Sequence, residues 1–472
     1  MIRTRIAPSP TGNLHIGTAR TALFNYLFAK KMGGRFIVRI EDTDIERSNK
    51  KFEKNIIEGL KWLGMGEDEG PLVGGDYGPY RQSERTKTYK PYIEKLLSES
   101  KAFYCFHSEK ELAEEKENLM KSKKHPVHLC EYRNISLEEA NILREAKNDY
   151  IIRFKNHVGR KITFNDLVRK DLSFDSDLIG DFSIAKRIDV PLYNFAVVVD
   201  DEIMEISHVI RGEDHISNTP KQLLLIEALG FKKPTYAHLP LILGSDRSKL
   251  SKRHGATSVD EYKDLGYLSE SLFNFMALLG WNPGDDREIL SKEELIESFS
   301  MEKVQKSGAI FDLNKLDWMN GEYIRRKSIA ELAKLSQPFL KVKSKKYLEK
   351  ILELEQSRIK KLSELPEKVD YFFKEPSADK DLLRWKNMTD EEIKSSIKKL
   401  LELLKENKEQ DIKIIEKVFL EEAGKMGDRG RLLWPLRSAL SGKKASAGPF
   451  EIISILGVEQ SIKRLENALQ SI

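Results

Sequence analysis

A length of 472 residues predicts roughly two to four domains. With 40% hydrophobic and 33% charged residues the chain can bury cores and stay in solution, while two cysteines exclude a disulfide-built secreted domain and fit a reducing compartment. The net charge of +5 suits a polyanionic partner, although many lysine-rich proteins without such a partner carry a similar charge.

The first hundred or so residues alternate strand-like and helix-like segments, in the order TRIA, TALFNYLFAKK, RFIVRIED and KKFEKNIIEGLKWLG. This βαβα order predicts a parallel sheet with right-handed crossovers. Ligands of such sheets bind beyond the carboxyl ends of the strands. The segments Pro8–Gly12 and Glu41–Asp44 each follow a strand, so both are predicted to lie at that edge.

The pattern changes between about Lys101 and Asp189. A charged helical segment, SEKELAEEKENLMKSKK, precedes short strand-like pieces such as YIIRFKN and KITFNDLV, which predicts an α+β insertion that splits the sheet. VPLYNFAVVVDD is then predicted to return to a strand. Its acidic pair, Asp200 and Asp201, could suggest a magnesium site, but such pairs after a strand are more often turn or cap residues. KQLLLIEALG is predicted to be a helix that completes this fold near residue 245.

Beyond residue 323 the sequence is helical in pattern, as in YLEKILELEQSRIKKLSEL and EEIKSSIKKLLELLKEN, and no stretch has the alternation of a β-strand. The amino-terminal MIRTRIAPSP lacks the apolar centre of a signal peptide. No apolar run approaches the ~20 residues needed to cross a bilayer. We therefore expect a cytoplasmic protein with an all-helical C-terminal part and no membrane contact.

Two separated motifs carry the strongest functional signal. In PSPTGNLHIGT (Pro8–Thr18) a turn leads into a helix, whose free N–H groups and positive dipole end suit an anion such as a triphosphate. His15 can donate to a phosphoryl oxygen, and Gly17 allows a nucleotide to approach the backbone closely. Far downstream, KLSKR (Lys249–Arg253) offers two lysines that could neutralise charge as pyrophosphate departs.

Together, in this order, the motifs resemble the paired signatures of class I aminoacyl-tRNA synthetases. The wider sequence is similar to the bacterial type of glutamyl-tRNA synthetase, in RIAPSPTG, GGRFIVRIEDTD, GPYRQSER, YNFAVVVDD, VIRGEDHISNTP, HLPLILG, LSKRHGA and FDLNKLDWMNGEYI. The resemblance runs from Thr4 to about residue 325 with specific motifs and continues more thinly to the C-terminus. Glutaminyl enzymes and the archaeal or eukaryotic glutamyl type carry β-barrels where this chain is helical, so the helical tail favours the bacterial glutamyl architecture.

The resemblance implies a Rossmann-type α/β catalytic domain, split by an acceptor-end-binding α+β insertion and followed by an all-α anticodon-binding domain. The implied boundaries are 1–100 and 190–245 for the catalytic halves, 101–189 for the insertion, 246–322 for a stem-contact region with the KLSKR loop, and 323–472 for the anticodon-binding domain. The implied reaction activates L-glutamate with ATP to glutamyl-adenylate and transfers it to the 3′-terminal adenosine of tRNA(Glu). A monomer is the family expectation.

The glutamate site is implied by resemblance to comprise Arg5, Ser9, Glu41, Tyr193 and Arg211. The two arginines would face the side-chain carboxylate, which a guanidinium binds in a bidentate manner, and Glu41 would hold the ammonium group. The alternatives are a solvated strand-end arginine, a turn acid and a core aromatic. Two arginines favour glutamate over glutamine, because a neutral amide leaves their charge uncompensated.

The resemblance also implies that His15 and Gly17 bind ATP and stabilise the transition state, while Lys249 and Lys252 act on the phosphates. The full set implied for ATP binding is Ser9, His15, Gly17, Lys249, Lys252 and Arg253. The alternative for the KLSKR loop, taken alone, is a solvated basic surface. Mg²⁺ is expected to arrive with the ATP phosphates, since it dehydrates reluctantly and rarely needs a protein cage.

The first motif has Thr18 where many class I enzymes have a second histidine, a departure familiar in glutamyl enzymes. Leu250 stands in place of the commoner methionine, which conserves volume.

Four residues are implied to contact the tRNA: Asp44, Arg47, Arg358 and Arg437. The first two would lie near the terminal adenosine. Arg358 aligns with a family arginine that binds the last anticodon base, and Arg437, in WPLRSALSG, resembles a second anticodon contact. Arginine suits base-edge acceptors, although a lone arginine on a lysine-rich helix is typically a phosphate or solvent contact.

Four residues stand where some family members have a Cys-x-Cys and Cys-x-His zinc cluster: Cys105, His107, Cys130 and Tyr132. Tyrosine is a poor zinc ligand, although His125 or His128 could substitute for it. Because a closed structural site needs four ligands, the sequence favours a remnant with two ordinary thiols over a Zn²⁺ site. No protein-held metal is predicted.

Three other functions stay open at this point. A non-discriminating enzyme would also glutamylate tRNA(Gln), since one or two anticodon contacts decide between the two. A shortened homologue that modifies a tRNA base would lack the helical C-terminal domain. A catalytically inactive RNA-binding protein is disfavoured because the chain retains Arg5, His15, Glu41, Lys249 and Lys252.

Overall fold

A computed structural model describes residues 1–43, 46–123, 125, 127–147, 149–377 and 379–472. The chain divides into two compact units: unit 1 is Met1–Lys263 with Ser269–Leu316, and unit 2 is Asp264–Leu268 with Asp317–Ile472. In the described ranges, no helix combines the length and apolarity that a membrane crossing requires.

The amino-terminal segments of unit 1 confirm the predicted βαβα order. They are β1 (Arg3–Ile6), α1 (Ile16–Lys31), β2 (Arg35–Val38) and α2 (Lys50–Trp62). Strands β1 and β2 pair in parallel, with Arg3 opposite Arg35. Helix α1 is buried along most of its length, and His15 caps it by accepting a hydrogen bond from the N–H of Gly17 at 3.0 Å.

An α+β segment follows, as the change of sequence pattern predicts. Its elements are α3 (Thr86–Ser98), β3 (Ala102–Cys105), α4 (Glu109–Lys121), α5 (Leu137–Lys147), β4 (Ile151–Phe154), β5 (Lys161–Asp166), β6 (Lys170–Asp175), β7 (Phe182–Arg187) and β8 (Val190–Pro191). Strands β3, β4, β7 and β8 form an antiparallel sheet in that order, and β5 and β6 form an antiparallel pair.

The chain then returns to the parallel sheet. The elements are α6 (Tyr193–Ile203), β9 (His208–Gly212), α7 (Thr219–Leu229), β10 (Thr235–Leu239) and β11 (Ile242–Leu243). Strand β10 pairs in parallel with β9 and, at Tyr236 and Asp166, with β5 of the insertion. Beside β9, the N–H of Ser207 donates to Arg3 O at 3.0 Å, which sets β1 next to β9. Asp166 therefore reaches the sheet that carries the predicted site residues.

The strand prediction for VPLYNFAVVVDD is wrong, because only Val190–Pro191 is extended and Tyr193–Ile203 is helix α6. Phe195–Asp200 is buried throughout, so the helix lacks the polar face that would reveal its period. A short continuous apolar run cannot distinguish a buried strand from a buried helix. Asp200 and Asp201 consequently lie inside α6 rather than in a turn.

Further elements complete unit 1 and lead into unit 2. They are α8 (Val259–Asp264), α9 (Ser269–Leu278), α10 (Lys292–Ser298), β12 (Ala309–Ile310) and α11 (Leu313–Arg326). Strand β12 pairs in parallel with β11, which precedes the KLSKR segment.

Unit 2 is built from helices, which confirms the prediction for the C-terminal part. After α11 come α12 (Ile329–Ser336), α13 (Lys345–Glu355), α14 (Leu365–Val369), α15 (Lys380–Leu383), α16 (Asp390–Glu406), α17 (Ile412–Lys425), α18 (Gly430–Ser441), α19 (Pro449–Leu456) and α20 (Val458–Gln470). Helix α16 shows why: Ile393, Ile397, Leu400 and Leu404 recur at helical spacing and are fully buried. Thr389 begins it with a capping box.

Candidate functional site

A cavity of about 360 Å³ lies where β1, β9 and β10 end. Eight of the predicted site residues line it: Arg5, Ser9, His15, Gly17, Glu41, Tyr193, Arg211 and Lys249. Their convergence follows from the topology, since the carboxyl ends of parallel strands meet at one edge of a sheet. Lys252 and Arg253 do not line this cavity.

Arg39, fully buried, connects the two ends of the predicted glutamate site. Its guanidinium donates to Glu41 Oε1 at 3.0 Å and to Asp201 Oδ1 at 2.7 Å. Asp201 also accepts two hydrogen bonds from Arg5, at 3.1 and 3.2 Å. One chain of ion pairs therefore fixes both Arg5 and Glu41. Burial raises the pKa of the Glu41 carboxyl, an effect that Arg39 opposes.

Asp200, also fully buried, anchors this chain on its other side. Its carboxylate accepts hydrogen bonds from Arg85 Nε at 2.7 Å, Gln82 Nε2 at 2.8 Å and Tyr89 Oη at 3.1 Å. Arg39 Nε lies 3.7 Å from the same carboxylate. Buried charges require such pairing, so the acidic pair of α6 is committed to arginines, and its interpretation as turn or cap residues is wrong.

Arg211 differs from these arginines because none of its described contacts is a carboxylate. Its Nε donates to His238 Nε2 at 3.1 Å, and its Nη2 donates to Thr219 Oγ1 at 2.8 Å. Nη1 is buried and has no hydrogen-bond partner within the described residues. Burial lowers the pKa of Arg211, as expected for an uncompensated buried cation. The arrangement favours an anionic group of a ligand at this end of the cavity.

The pKa of Tyr193 responds to burial and to opposing charges: Glu41 raises it, and Arg211 and Arg5 lower it. Its hydroxyl is 3.0 Å from His215 Nδ1. Burial and the charge of Glu41 raise the pKa of Tyr193 to about 12, so the hydroxyl stays protonated at neutral pH and can donate a hydrogen bond.

His15 and Gly17 occupy the start of α1, where the positive end of the helix dipole favours an anion. Two of the first N–H groups of the helix already have partners, because Ile16 N–H donates to Thr257 O at 2.9 Å and Gly17 N–H donates to His15 Nδ1. Nδ1 of His15 accepts from the Gly17 N–H, so in the neutral ring the proton resides on Nε2. Burial, and secondarily the charge of Lys249, lower the pKa of His15. At neutral pH the ring is therefore a neutral hydrogen-bond donor at the cavity.

The KLSKR segment is anchored to strand β11 through Leu250. Leu250 is buried and its N–H donates to Ile242 O at 2.9 Å, which places Lys249 at the cavity. Lys252 and Arg253 are solvent-exposed, and Arg253 pairs with Asp246 at 3.4 Å. The roles predicted for these last two residues stay predictions.

The family comparisons agree with this geometry. The family model described as "tRNA synthetases class I (E and Q), catalytic domain" matches residues 1–318, and "Anticodon binding domain" matches residues 331–469. This chain belongs to the class I tRNA synthetases of the E and Q type.

Individual relatives match along their full length. Glutamate–tRNA ligase of Carboxydothermus hydrogenoformans is 48% identical and covers 99% of both chains. Glutamate–tRNA ligase 1 of Caldicellulosiruptor saccharolyticus is 47% identical over 98% of both. A crystal structure of a glutamate tRNA ligase from Elizabethkingia meningosepticum, in complex with its amino acid, superposes with a TM-score of 0.89 at 34% identity, covering 100% of this chain and 99% of that one.

The residues predicted to contact tRNA are only partly described. Asp44 lies outside the described residues, and Arg47 is solvent-exposed and does not line the cavity. In unit 2, Arg358 is 3.6 Å from the buried Glu355, and Arg437 lies over the ring of Trp434 at 4.5 Å. Burial and the charge of Arg358 lower the pKa of Arg437, so these two arginines are close enough to interact.

The insertion contains a cluster of four potential metal ligands: Cys105, His107, His128 and Cys130. Their ligand atoms all lie within 4.8 Å of one another. Cys105 Sγ is 3.5 Å from His107 Nδ1 and 3.8 Å from His128 Nε2, and Cys130 Sγ is 3.7 Å from His107 Nδ1. Zn–S and Zn–N bonds of about 2.3 and 2.0 Å give tetrahedral edges of this size, so the cluster fits a Zn²⁺ ion.

His128, rather than the aligned Tyr132, completes this set. The other ring nitrogen of His128 contacts the Glu115 carboxylate, as is usual for a metal-binding histidine. Tyr132 packs its ring on His107 at 5.1 Å, and its hydroxyl accepts from Lys147 Nζ at 3.1 Å. The objection that the sequence raises against zinc, a missing fourth ligand, therefore does not hold.

We predict that the purified protein binds one Zn²⁺ per chain and that His128→Gln abolishes this binding, because a closed tetrahedral site needs all four ligands. His125→Gln is the matched control, since His125 is outside the cluster. Elemental analysis after dialysis against zinc gives the stoichiometry. Zinc retained by His128→Gln, or absent from the wild type, would contradict the site.

Proposed function

We propose that the protein is a glutamate–tRNA ligase, which activates L-glutamate with ATP and transfers it to the 3′-terminal adenosine of tRNA(Glu), releasing AMP and diphosphate. The observation that carries the proposal is Arg211, a buried guanidinium that lines the cavity and, within the described residues, has no hydrogen-bond partner at Nη1 and no carboxylate contact. The relatives named glutamate–tRNA ligase, which match this chain over nearly its whole length, support the proposal.

Glutamate fits the charges of the cavity in one orientation. Its side-chain carboxylate is bound by Arg211 and Arg5, and its ammonium group by Glu41. Arg39 holds Arg5 and Glu41 at a fixed separation, because it contacts Glu41 directly and Arg5 through Asp201. Glutamine in this orientation leaves Arg211 without a counter-charge, which typically costs several kcal/mol in a buried site.

Activation joins the α-carboxylate oxygen to the α-phosphorus of ATP and breaks the bond to pyrophosphate. The start of α1 offers the positive end of its dipole, and His15 offers Nε2–H, to phosphoryl oxygens. Lys249 lines the same cavity and balances the negative charge of the phosphates. Ser9, Gly17, Lys252 and Arg253 complete the proposed ATP site. Catalysis here is positioning and charge stabilisation, with no protein nucleophile.

Two metal ions have separate proposed roles. Mg²⁺ arrives with ATP and is held mainly by the phosphates, since Asp200 and Asp201 are committed to arginines. Zn²⁺ in the cluster of Cys105, His107, His128 and Cys130 is structural, because four protein ligands leave no open position for a substrate.

The tRNA is bound by the insertion at its acceptor end and by unit 2 at its anticodon, with Asp44, Arg47, Arg358 and Arg437 as contacts. We keep a monomeric, cytoplasmic enzyme as part of the proposal. A second candidate, an enzyme that also glutamylates tRNA(Gln), differs only in anticodon contacts.

We predict that Arg211→Gln lowers kcat/KM for glutamate at least about 100-fold, equivalent to about 2.7 kcal/mol, while KM for ATP stays near that of the wild type. The physical reason is the loss of a positively charged hydrogen-bond donor for the substrate carboxylate. Aminoacylation with varied glutamate and ATP measures both constants.

The matched control is Arg287→Gln, which removes an exposed arginine paired with Asp285. Unchanged glutamate kinetics in Arg211→Gln would remove Arg211 from the glutamate site. Failure of the wild type to charge any tRNA with glutamate would reject the proposed function.

We predict that purified tRNA(Glu) is charged and tRNA(Gln) is not, and that Arg358→Gln raises KM for tRNA(Glu) without changing KM for glutamate. The reason is that Arg358 would contact an anticodon base and not the cavity. Lys417→Gln, an exposed residue of unit 2, is the control. Charging of both tRNAs would keep the chemistry and establish the non-discriminating enzyme instead.

A further inference from the structure

His238, fully buried on β10, connects the insertion to Arg211. On one side, His238 Nδ1 is 2.6 Å from Asp166 Oδ2 at the end of β5. On the other side, His238 Nε2 accepts the hydrogen bond from Arg211 Nε at 3.1 Å. Neither His238 nor Asp166 lines the cavity, and neither is among the predicted site residues.

The direction of each hydrogen bond follows from the chemistry of its ends. Arg211 has only donors, so His238 Nε2 must be an acceptor and carries no proton. The ring proton is then on Nδ1, where Asp166 accepts it. Burial and the charge of Arg211 lower the pKa of His238, although Asp166 opposes this, so the ring stays neutral at physiological pH. A second ring proton would face the Arg211 N–H and displace the guanidinium.

Asp166 is itself held in one orientation. Its Oδ1 accepts from the backbone N–H groups of Val168 at 2.9 Å, Arg169 at 2.8 Å and His238 at 3.2 Å. Only Oδ2 therefore faces the imidazole. Thr219 supports the far end, since its hydroxyl accepts from Arg211 Nη2 at 2.8 Å. With Nε and Nη2 both fixed, the remaining Nη1 of Arg211 has a single direction.

We propose that Asp166 and His238 are positioning residues for substrate selection: they form a relay that aims Nη1 of Arg211 at the glutamate side-chain carboxylate. The relay rests on the proposed function, and it extends the glutamate site to two residues that touch no substrate. It also gives the insertion, through Asp166, a part in recognising the amino acid.

Two substitutions of His238 separate this role from simple core packing. Glutamine places an acceptor near the position of Nε2 and keeps the contact to Arg211, while asparagine places a donor near Nδ1 and keeps only the contact to Asp166. Misplacing a binding group by about 1 Å can cost up to about 100-fold. We expect His238→Asn to raise KM for glutamate at least about tenfold and His238→Gln about threefold or less, with KM for ATP unchanged in both.

Asp166→Asn tests the relay without changing its shape. Because Oδ1 must keep accepting three backbone N–H groups, the new amide N–H₂ faces His238 Nδ1 and forces the ring proton onto Nε2, against Arg211. A wrong tautomer fixed by an aspartate-to-asparagine change is known to impair enzymes whose geometry stays intact. We expect KM for glutamate to rise at least about tenfold while the melting temperature stays near that of the wild type.

The experiment is steady-state aminoacylation of tRNA(Glu) by the full-length wild type and the three variants, with thermal melting of each. Raised KM for glutamate in Asp166→Asn and His238→Asn, with His238→Gln close to wild type, supports the relay. Normal glutamate KM in Asp166→Asn, or equal damage by Gln and Asn at His238, overturns it. If His238→Asn does not fold, Asp166→Asn alone decides. An inactive wild type would reject the proposed function, which is a separate result.

Discussion

The glutamate pocket depends on one buried chain of arginines and carboxylates centred on Arg39. Arg39 contacts Glu41 and Asp201, Asp201 holds Arg5, and Asp200 ties the chain to Arg85. Each of these charges would be costly to bury alone, and each is paired. The segments that contribute them are β1, the end of β2, α6 and the residues before α3. The site therefore requires these segments to be packed together correctly.

Arg211 differs from these paired charges, because among the residues that the structure describes it contacts no carboxylate. Its hydrogen bonds are to the neutral groups of His238 and Thr219. These groups do not compensate its positive charge, so an anionic ligand can do so. A protein uses a neutral partner to orient a cation without neutralising it. The same reasoning separates glutamate from glutamine, which differ in charge and hardly in shape. Selection of the amino acid is thus electrostatic, whereas the proposed ATP site depends on the dipole at the start of α1, on His15 and on Lys249.

Sequence patterns predict the parallel sheet, the insertion and the helical C-terminal part, because strand and helix periods and family motifs are local signals. The family motifs also predict eight of the residues that line the cavity, but Lys252 and Arg253 do not line it. Sequence patterns do not predict α6, whose buried apolar run has no visible period, nor Arg39, Asp166 and His238, whose importance arises only from contacts between distant segments. The sequence offers both His125 and His128 as substitutes for the aligned Tyr132 and cannot choose between them, whereas folding brings the His128 ring to the thiols.

The most direct test of electrostatic selection is the equilibrium affinity of the wild type for two non-hydrolysable aminoacyl-adenylate analogues, the glutamyl and glutaminyl sulfamoyl-adenosines, measured by calorimetry. These ligands share the nucleotide and differ only in the side-chain charge. We expect the glutamyl compound to bind at least about 100-fold more tightly, because only it supplies a counter-charge to Arg211. Equal affinities would contradict this expectation and would mean that Arg211 does not select the amino acid.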